Sequence, residues 1–145
     1  AIDKKDVKVV QCKAVEELVR NSDIICTTTP STTPVLPDDK ELLRGKCIIA
    51  IGSYMPEMRE IPDAVLDLVD NVYIELPYAC EESGDLSQPL ASGKLTKDRI
   101  KLMHEYLVSG EKEIKEGQTT YFKSVGMGLF DVCIAQKLYE VAKEK

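Results

Sequence analysis

Short apolar runs alternate along this chain with segments whose apolar positions recur every third or fourth residue. VKVV (7–10), AVEELVRN (14–21), DIICTTT (23–29), CIIAIGS (47–53), PDAVLDLVDN (62–71) and VYIEL (72–76) follow one another in that rhythm. DIIC and CIIAI are continuously apolar, which predicts strands covered on both faces, and Val15, Leu18 and Val19 give the intervening helix its apolar stripe. Strand and helix in alternation predict an α/β fold with a parallel sheet, in which DIICTTT and CIIAIGS are neighbours.

Beyond residue 77 the rhythm breaks. PYACEESGDLSQPLASGK carries Pro77, Gly84, Pro89 and Gly93 with little periodicity and reads as a long loop. Thr96 is expected to cap a helix over TKDRIKLMHEYLVSG, ended by Gly110, with Ile100, Met103 and Leu107 on one face. TTYFKSV (119–125) reads as a short extended segment. Gly126 opens a final helix that offers Leu129, Val132, Cys133, Leu138 and Val141 for burial. The whole, 1–145, is expected to be one domain: a βαβ core over 7–76, a loop, helix and extended segment over 77–125, and a helix over 126–145.

Composition narrows the partners. The 145 residues are 43% hydrophobic and 30% charged, and no apolar run approaches the roughly 20 residues of a membrane helix, so no membrane is expected. Net charge is -6 with Lys and Arg scattered, which argues against nucleic acid and for small molecules or proteins. Cys12, Cys26, Cys47, Cys80 and Cys133 form no C-x-x-C pair and read as buried, reduced thiols of a cytoplasmic protein. With His104 the single histidine, neither a metal site nor a Cys/His nucleophile is supported. His104 reads as a half-buried side chain, and Glu81, Glu82, Glu111, Glu113 and Glu116 as solvated charge.

Candidate chemistry lies at two strand ends, because open parallel sheets bind ligands beyond their carboxyl edges. ICTTTPSTTPVL ends one strand in hydroxyls that can donate to and accept from ribose, phosphate or carboxamide; β-propensity followed by a capped turn explains the same threonines without a ligand. IGSYMPEMRE ends the next, where Gly52 permits close backbone approach and Pro56 stiffens the exit.

Those two segments, with ESGDLSQPL and TTYFKSVGMGLFDVCIAQKLYE, resemble the ornithine cyclodeaminase and mu-crystallin family in order and spacing from about residue 7 to the end. The resemblance implies a Rossmann-type NAD or NADP domain in an enzyme of amino or imino acids: ornithine cyclisation with loss of ammonia, alanine dehydrogenation, or cyclic ketimine reduction. It places Thr27, Thr28, Thr29, Pro30 and Ser31 in the turn beside the cofactor's ribose and nicotinamide. Gly52 and Ser53 fall in the second cofactor-side turn, and Ser124, Val125 and Gly126 in the segment that approaches the nicotinamide. Lys123 also matches that segment, though it reads better as an exposed structural lysine. Asp85 reads as an acidic turn residue or as one that orders the long loop over the site.

Two departures bear on chemistry. Tyr54 stands at the catalytic position where many family enzymes carry Asp; a phenol of ordinary pKa near 10 is neutral at pH 7 and offers an iminium no counter-charge. Ile49 stands where the family often has Asn. The mu-crystallin branch itself lacks the aspartate, so the loss disfavours cyclodeaminase chemistry more than ketimine reduction or plain ligand binding.

A Rossmann domain binds pyrophosphate at a glycine-rich turn after its first strand. This sequence has no such turn: Gly126-Met-Gly128 meets Asp131 where the third glycine belongs, and marks a helix start. The expectation is a partial Rossmann-type sheet lacking the first β-α-β unit, weak in cofactor binding and inactive alone, acting as a homodimer or with the remaining portion supplied by another chain. A non-catalytic binding or assembly module on the same scaffold is the competing class. In the order 3-2-1-4-5-6, VKVV would stand two strands away from DIICTTT, so it is expected either to shift and pair with DIICTTT directly or to leave an edge at which two copies meet.

Overall fold

A computed structural model describes residues 7–110 and 114–143. In chain order the elements are α1 (Val15–Arg20), β1 (Ile24–Thr27), α2 (Lys40–Leu43), β2 (Cys47–Ala50), α3 (Asp63–Leu68), β3 (Val72–Ile74), α4 (Ala79–Glu82), α5 (Gly84–Ser92), β4 (Ile100–Leu102), α6 (Met103–Ser109), β5 (Thr120–Lys123) and α7 (Gly128–Lys143). The strands form one wholly parallel sheet in the order β1-β2-β5-β3-β4. The fold is α/β, as the alternation predicts, and β1 and β2 are neighbours, Ile25 opposite Ile48.

The sheet is covered unequally. Ile25, Ile48, Ala50, Tyr121 and Val72 point to one face and are buried with Val19 of α1, Leu43 of α2, Ala64 to Leu66 of α3 and Leu86 of α5. The opposite face holds Ile24, which is 65% exposed, exposed Cys26, and half-buried Ile49 and Phe122; Tyr106 of α6 covers part of it, edge-on to Tyr73. Burial therefore alternates along β1, β2 and β5, and DIIC is covered on one face instead of two.

Several expectations change. VKVV forms no strand and, among the described residues, pairs with nothing: Val9 is 91% exposed, and β1 has a strand partner only on its β2 side. The short connection through α1 carries no pairing, so the shifted arrangement is not adopted. The loop expected over 77–94 is two helices. Its glycines sit at the ends of α5, Gly84 at the first position and Gly93 at the C-cap with φ 76°, where glycine suits a helix. The helix expected from Thr96 begins as a single turn and a strand, because Ile100 and Leu102 pack beside β3; only 103–109 is helical, ended by Gly110 as expected. The cysteines are free but none is buried, since Cys26 and Cys47 face the less covered side of the sheet and Cys133 lies on exposed α7. None of the apolar side chains of α7 is buried. His104 is exposed on α6, and Glu111 and Glu113 lie outside the described residues.

The placement of β5 matters most for the site. TYFK enters between β2 and β3, so its last residue stands in the middle of the sheet's carboxyl edge. Among the described residues no helix is long and apolar enough to cross a membrane.

Candidate functional site

The last ladder bond between β1 and β2 runs from the Ile51 amide to the Thr27 carbonyl, 2.9 Å. Beyond it the strands have no further backbone pairing, and one side chain takes over. Glu60 is wholly buried. Its Oε1 accepts from the Thr29 amide at 2.5 Å and the Thr29 hydroxyl at 2.9 Å. Its Oε2 accepts from the Thr27 hydroxyl at 3.0 Å and from the Gly52 and Ser53 amides at 2.8 and 3.3 Å. One carboxylate thus ties the TTTPS turn to the IGSY turn, and five donors saturate its lone pairs.

Glu60 is itself held. Its amide and that of Ile61 donate to Asp85 Oδ1 at 2.7 and 2.9 Å, and Asp85 Oδ2 lies 3.4 Å from Lys123 Nζ, both side chains fully buried. Burial pushes the Asp85 carboxyl above its ordinary value, against the pull of the Ile61 amide, Lys123 and the Glu60 amide. Burial likewise draws the Lys123 ammonium down, against the pull of Asp85. The sequence reading of Lys123 as exposed is wrong because β5 is central. Asp85 is carried by the S-G-D segment that opens α5: the Ser83 hydroxyl pairs with that of Ser53 at 2.8 Å, and a β-carbon on Gly84 would fall 2.1 Å from the Met58 carbonyl. The motif is legible as a dock for the IGSYMPEMRE turn, with Gly required for contact and Asp for the two amides.

The third turn has its own carboxylate. Glu75, buried at the end of β3, accepts at Oε1 from the Ser124 hydroxyl and the Val125 amide, both 2.7 Å, and from the Gly126 amide at 3.0 Å; Gly126 has φ 87°. Tyr121 is wholly buried beneath, its phenol held well above its ordinary pKa by burial and then by the Asp85 and Glu60 charges.

The residues singled out from the sequence therefore do come together at one edge, in two roles. Thr27, Thr29, Ser53 and Ser124 turn their hydroxyls inward to Glu60, Met58, Ser83 and Glu75, and Ser31 donates to the Thr33 carbonyl at 2.6 Å. Thr28, Pro30, Ile51 and Tyr54 remain exposed, and Val125 is half-buried. No cation faces this surface from the buried network: Lys123 serves Asp85, and Arg59 is bonded to Asp63 and the Ile61 carbonyl. Such a surface suits an uncharged polar ring with an apolar face far better than a phosphate. Glu60, Glu75 and Lys123 are what sequence reasoning missed. A charge closing an apolar strand, as in VYIEL, is the available signal for Glu75; Glu60 and Lys123 show none until the strand order is known.

A wholly parallel five-stranded sheet whose carboxyl-edge turns are braced from beneath by buried carboxylates defines an open-sheet α/β domain. The chain belongs to the ornithine cyclodeaminase/mu-crystallin family, whose sequence model matches residues 1–145. It is 38% identical over 136 residues to a Delta(1)-pyrroline-2-carboxylate reductase of Bacillus cereus, covering 92% of this chain and 41% of that protein. It is 34% identical to the ketimine reductase mu-crystallin of Rattus norvegicus, with 93% and 40% covered. Among solved structures, the Thermococcus litoralis Delta(1)-pyrroline-2-carboxylate reductase in complex with NADH and L-proline superposes with a TM-score of 0.77 at 25% identity, covering 92% of this chain and 42% of that one. The chain thus spans about two fifths of the length of the relatives it matches.

Proposed function

We propose that this chain is the part of an NAD(P)-dependent cyclic imino-acid reductase that faces the nicotinamide end of the dinucleotide and the imino acid. The observation that carries the reading is the bracing of three carboxyl-edge turns by Glu60 and Glu75, with Thr28, Ile51 and Tyr54 exposed on those turns and Val125 half-buried. When bound, the reduced dinucleotide supplies the hydride. Thr28 hydrogen-bonds its ribose or carboxamide, and Ile51 and Val125 exclude water from one side of the ring. Thr27, Thr29, Pro30, Ser31, Gly52, Ser53, Ser124 and Gly126 shape those turns, most of them from beneath. Tyr54 donates a hydrogen bond to the imino acid; being neutral, it favours ketimine reduction over ornithine cyclisation. The phosphates are held outside these residues. The partner is a second copy or another polypeptide that pairs with the free edge of β1 and covers α7.

Titration of the ¹⁵N-labelled chain with NADH tests this. Amide shifts are expected to gather at Thr28, Ile51, Tyr54 and Val125, saturating near millimolar concentration, about -4 kcal/mol. Shifts confined to other surfaces, or none at several millimolar, overturn the reading.

A further inference from the structure

Glu60, Asp85 and Lys123 come from three separate stretches of sequence, MRE, SGD and FKS, and meet only in the fold. We propose that Glu60 is the positioning residue of the ligand-facing edge, setting the separation of the Thr27–Ser31 and Gly52–Tyr54 turns, and that the Lys123–Asp85 pair holds Glu60 in place. This rests on the proposed function only for what the turns face; the geometry of the turns stands by itself.

Three observations support it. The backbone ladder between β1 and β2 stops at Ile51, and Glu60 supplies the next connection between the strands, accepting from Thr29 on one side and Gly52 on the other. The donors come from both sides of the carboxylate, on Oε1 from the β1 turn and on Oε2 mostly from the β2 turn. A glutamine of the same shape has one acceptor oxygen, so its amide nitrogen would confront backbone N–H groups that have no other acceptor. Finally, Glu60 is not free to adjust. Its own amide is fixed by Asp85, its carbonyl accepts from the Val35 amide at 2.8 Å, and Asp85 is tied to the end of the central strand through Lys123.

The relay places Lys123 outside any direct chemical role. Its ammonium is wholly buried against Asp85, beneath the turns, and the exposed groups are two connections away. Lys123 and Asp85 act on the ligand surface through Glu60, and Glu60 acts through the amides of Thr29, Gly52 and Ser53. Binding to turns that are already spaced costs less ordering than binding to turns that must be gathered.

The experiment combines amide hydrogen exchange with NADH titration on the labelled 145-residue chain and three variants: Glu60→Gln, Lys123→Met, and Lys123→Met with Asp85→Asn. In Glu60→Gln the Thr29, Gly52 and Ser53 amides are expected to exchange about tenfold faster or more, the scale of one lost hydrogen bond to a charged acceptor. Tyr121 and Ile74 keep their protection, and NADH affinity falls by a similar factor. Lys123→Met loosens the same three amides. Adding Asp85→Asn restores them, because the asparagine carbonyl still accepts from the Glu60 and Ile61 amides and needs no cation. A purely structural pair would not send its rescue to amides on another strand pair.

Unchanged exchange at the three amides in Glu60→Gln overturns the proposal, as does loosening spread evenly over the sheet. Loosened turns with unaltered NADH affinity also overturn it. Should Glu60→Gln fail to fold, Thr27→Val withdraws one donor and keeps the charge; about threefold faster exchange at the same amides is then expected, and none overturns the proposal. If the parent chain gives no NADH shifts at these turns, the proposed function fails while the exchange measurements still decide the role of Glu60.

Discussion

Gly52 is packed directly against the backbone of Thr29: a β-carbon at Gly52 would lie 2.2 Å from the Thr29 nitrogen and 2.3 Å from its oxygen. Neither atom is the tip of a flexible side chain, so Gly52→Ala must push the two turns apart. A loss of about 1–3 kcal/mol or more is expected, read as a lower urea midpoint at unchanged slope. A midpoint equal to that of the parent would show that the turns have slack.

Arg99 closes the end of α3. Its Nη2 donates to the Leu66 and Val69 carbonyls, both at 2.6 Å, and its Nε to the Asp70 carbonyl at 3.1 Å. Arg99→Ala is expected to cost about 1–3 kcal/mol, and Arg99→Lys to recover little, since an ammonium cannot reproduce the fork. Full recovery by lysine in chemical denaturation would count against the geometry.

The buried pair has a pH signature. Asp85 already titrates above its ordinary value, and removing Lys123 withdraws one of the groups that lower it, so in Lys123→Met it rises further. A carboxyl raised in the folded state favours folding below its unfolded value near 4, and that contribution disappears as pH climbs through the folded value. Lys123→Met should therefore lose stability from about pH 4 toward neutrality more steeply than the parent, and the additional Asp85→Asn change should abolish the extra slope. Equal slopes in all three proteins would remove Asp85 as their source.

Tyr54 is 48% exposed, so exchanging its phenol for a carboxylate removes little buried contact. Tyr54→Asp should leave stability within about 0.5 kcal/mol in thermal or urea unfolding. A loss well beyond that would mean the phenol is bound to its surroundings.

Helix α7 has no buried residue, with Ile134 63% and Leu138 65% exposed. The double change Ile134→Glu, Leu138→Glu is expected to leave the unfolding midpoint of the chain unchanged. A drop in midpoint relative to the parent that shrinks as the proteins are diluted would show that these side chains are covered by a second copy.

The sequence made the parallel α/β class legible because DIIC and CIIAI are strongly apolar and are separated by helical periodicity. The family motifs also located the carboxyl-edge turns. What escaped was how the pieces interlock. Gly84, Pro89 and Gly93 look like loop residues until Gly84 and Gly93 are found at the two ends of one helix. Lys123 looks like a surface lysine until β5 is known to lie between β2 and β3. Glu60 belonged to a recognised motif, but its five donors come from residues 27 to 53 and carry no local signal.

The position of β5 also bears on how the sheet is assembled. β1 and β2 can pair early, and β3 and β4 can pair as a second unit, yet no strand pairing joins the two until Thr120–Lys123 is available to both; before that only side-chain and turn contacts such as Asp85 to the Glu60 amide connect them. On the ribosome, two half-sheets would wait with open inner edges, and each would expose the backbone groups that β5 later satisfies. Folding dominated by such distant pairings is slow. Premature termination before residue 120 would therefore leave a sheet with a gap at its centre and two unpaired inner edges, prone to pairing with other chains.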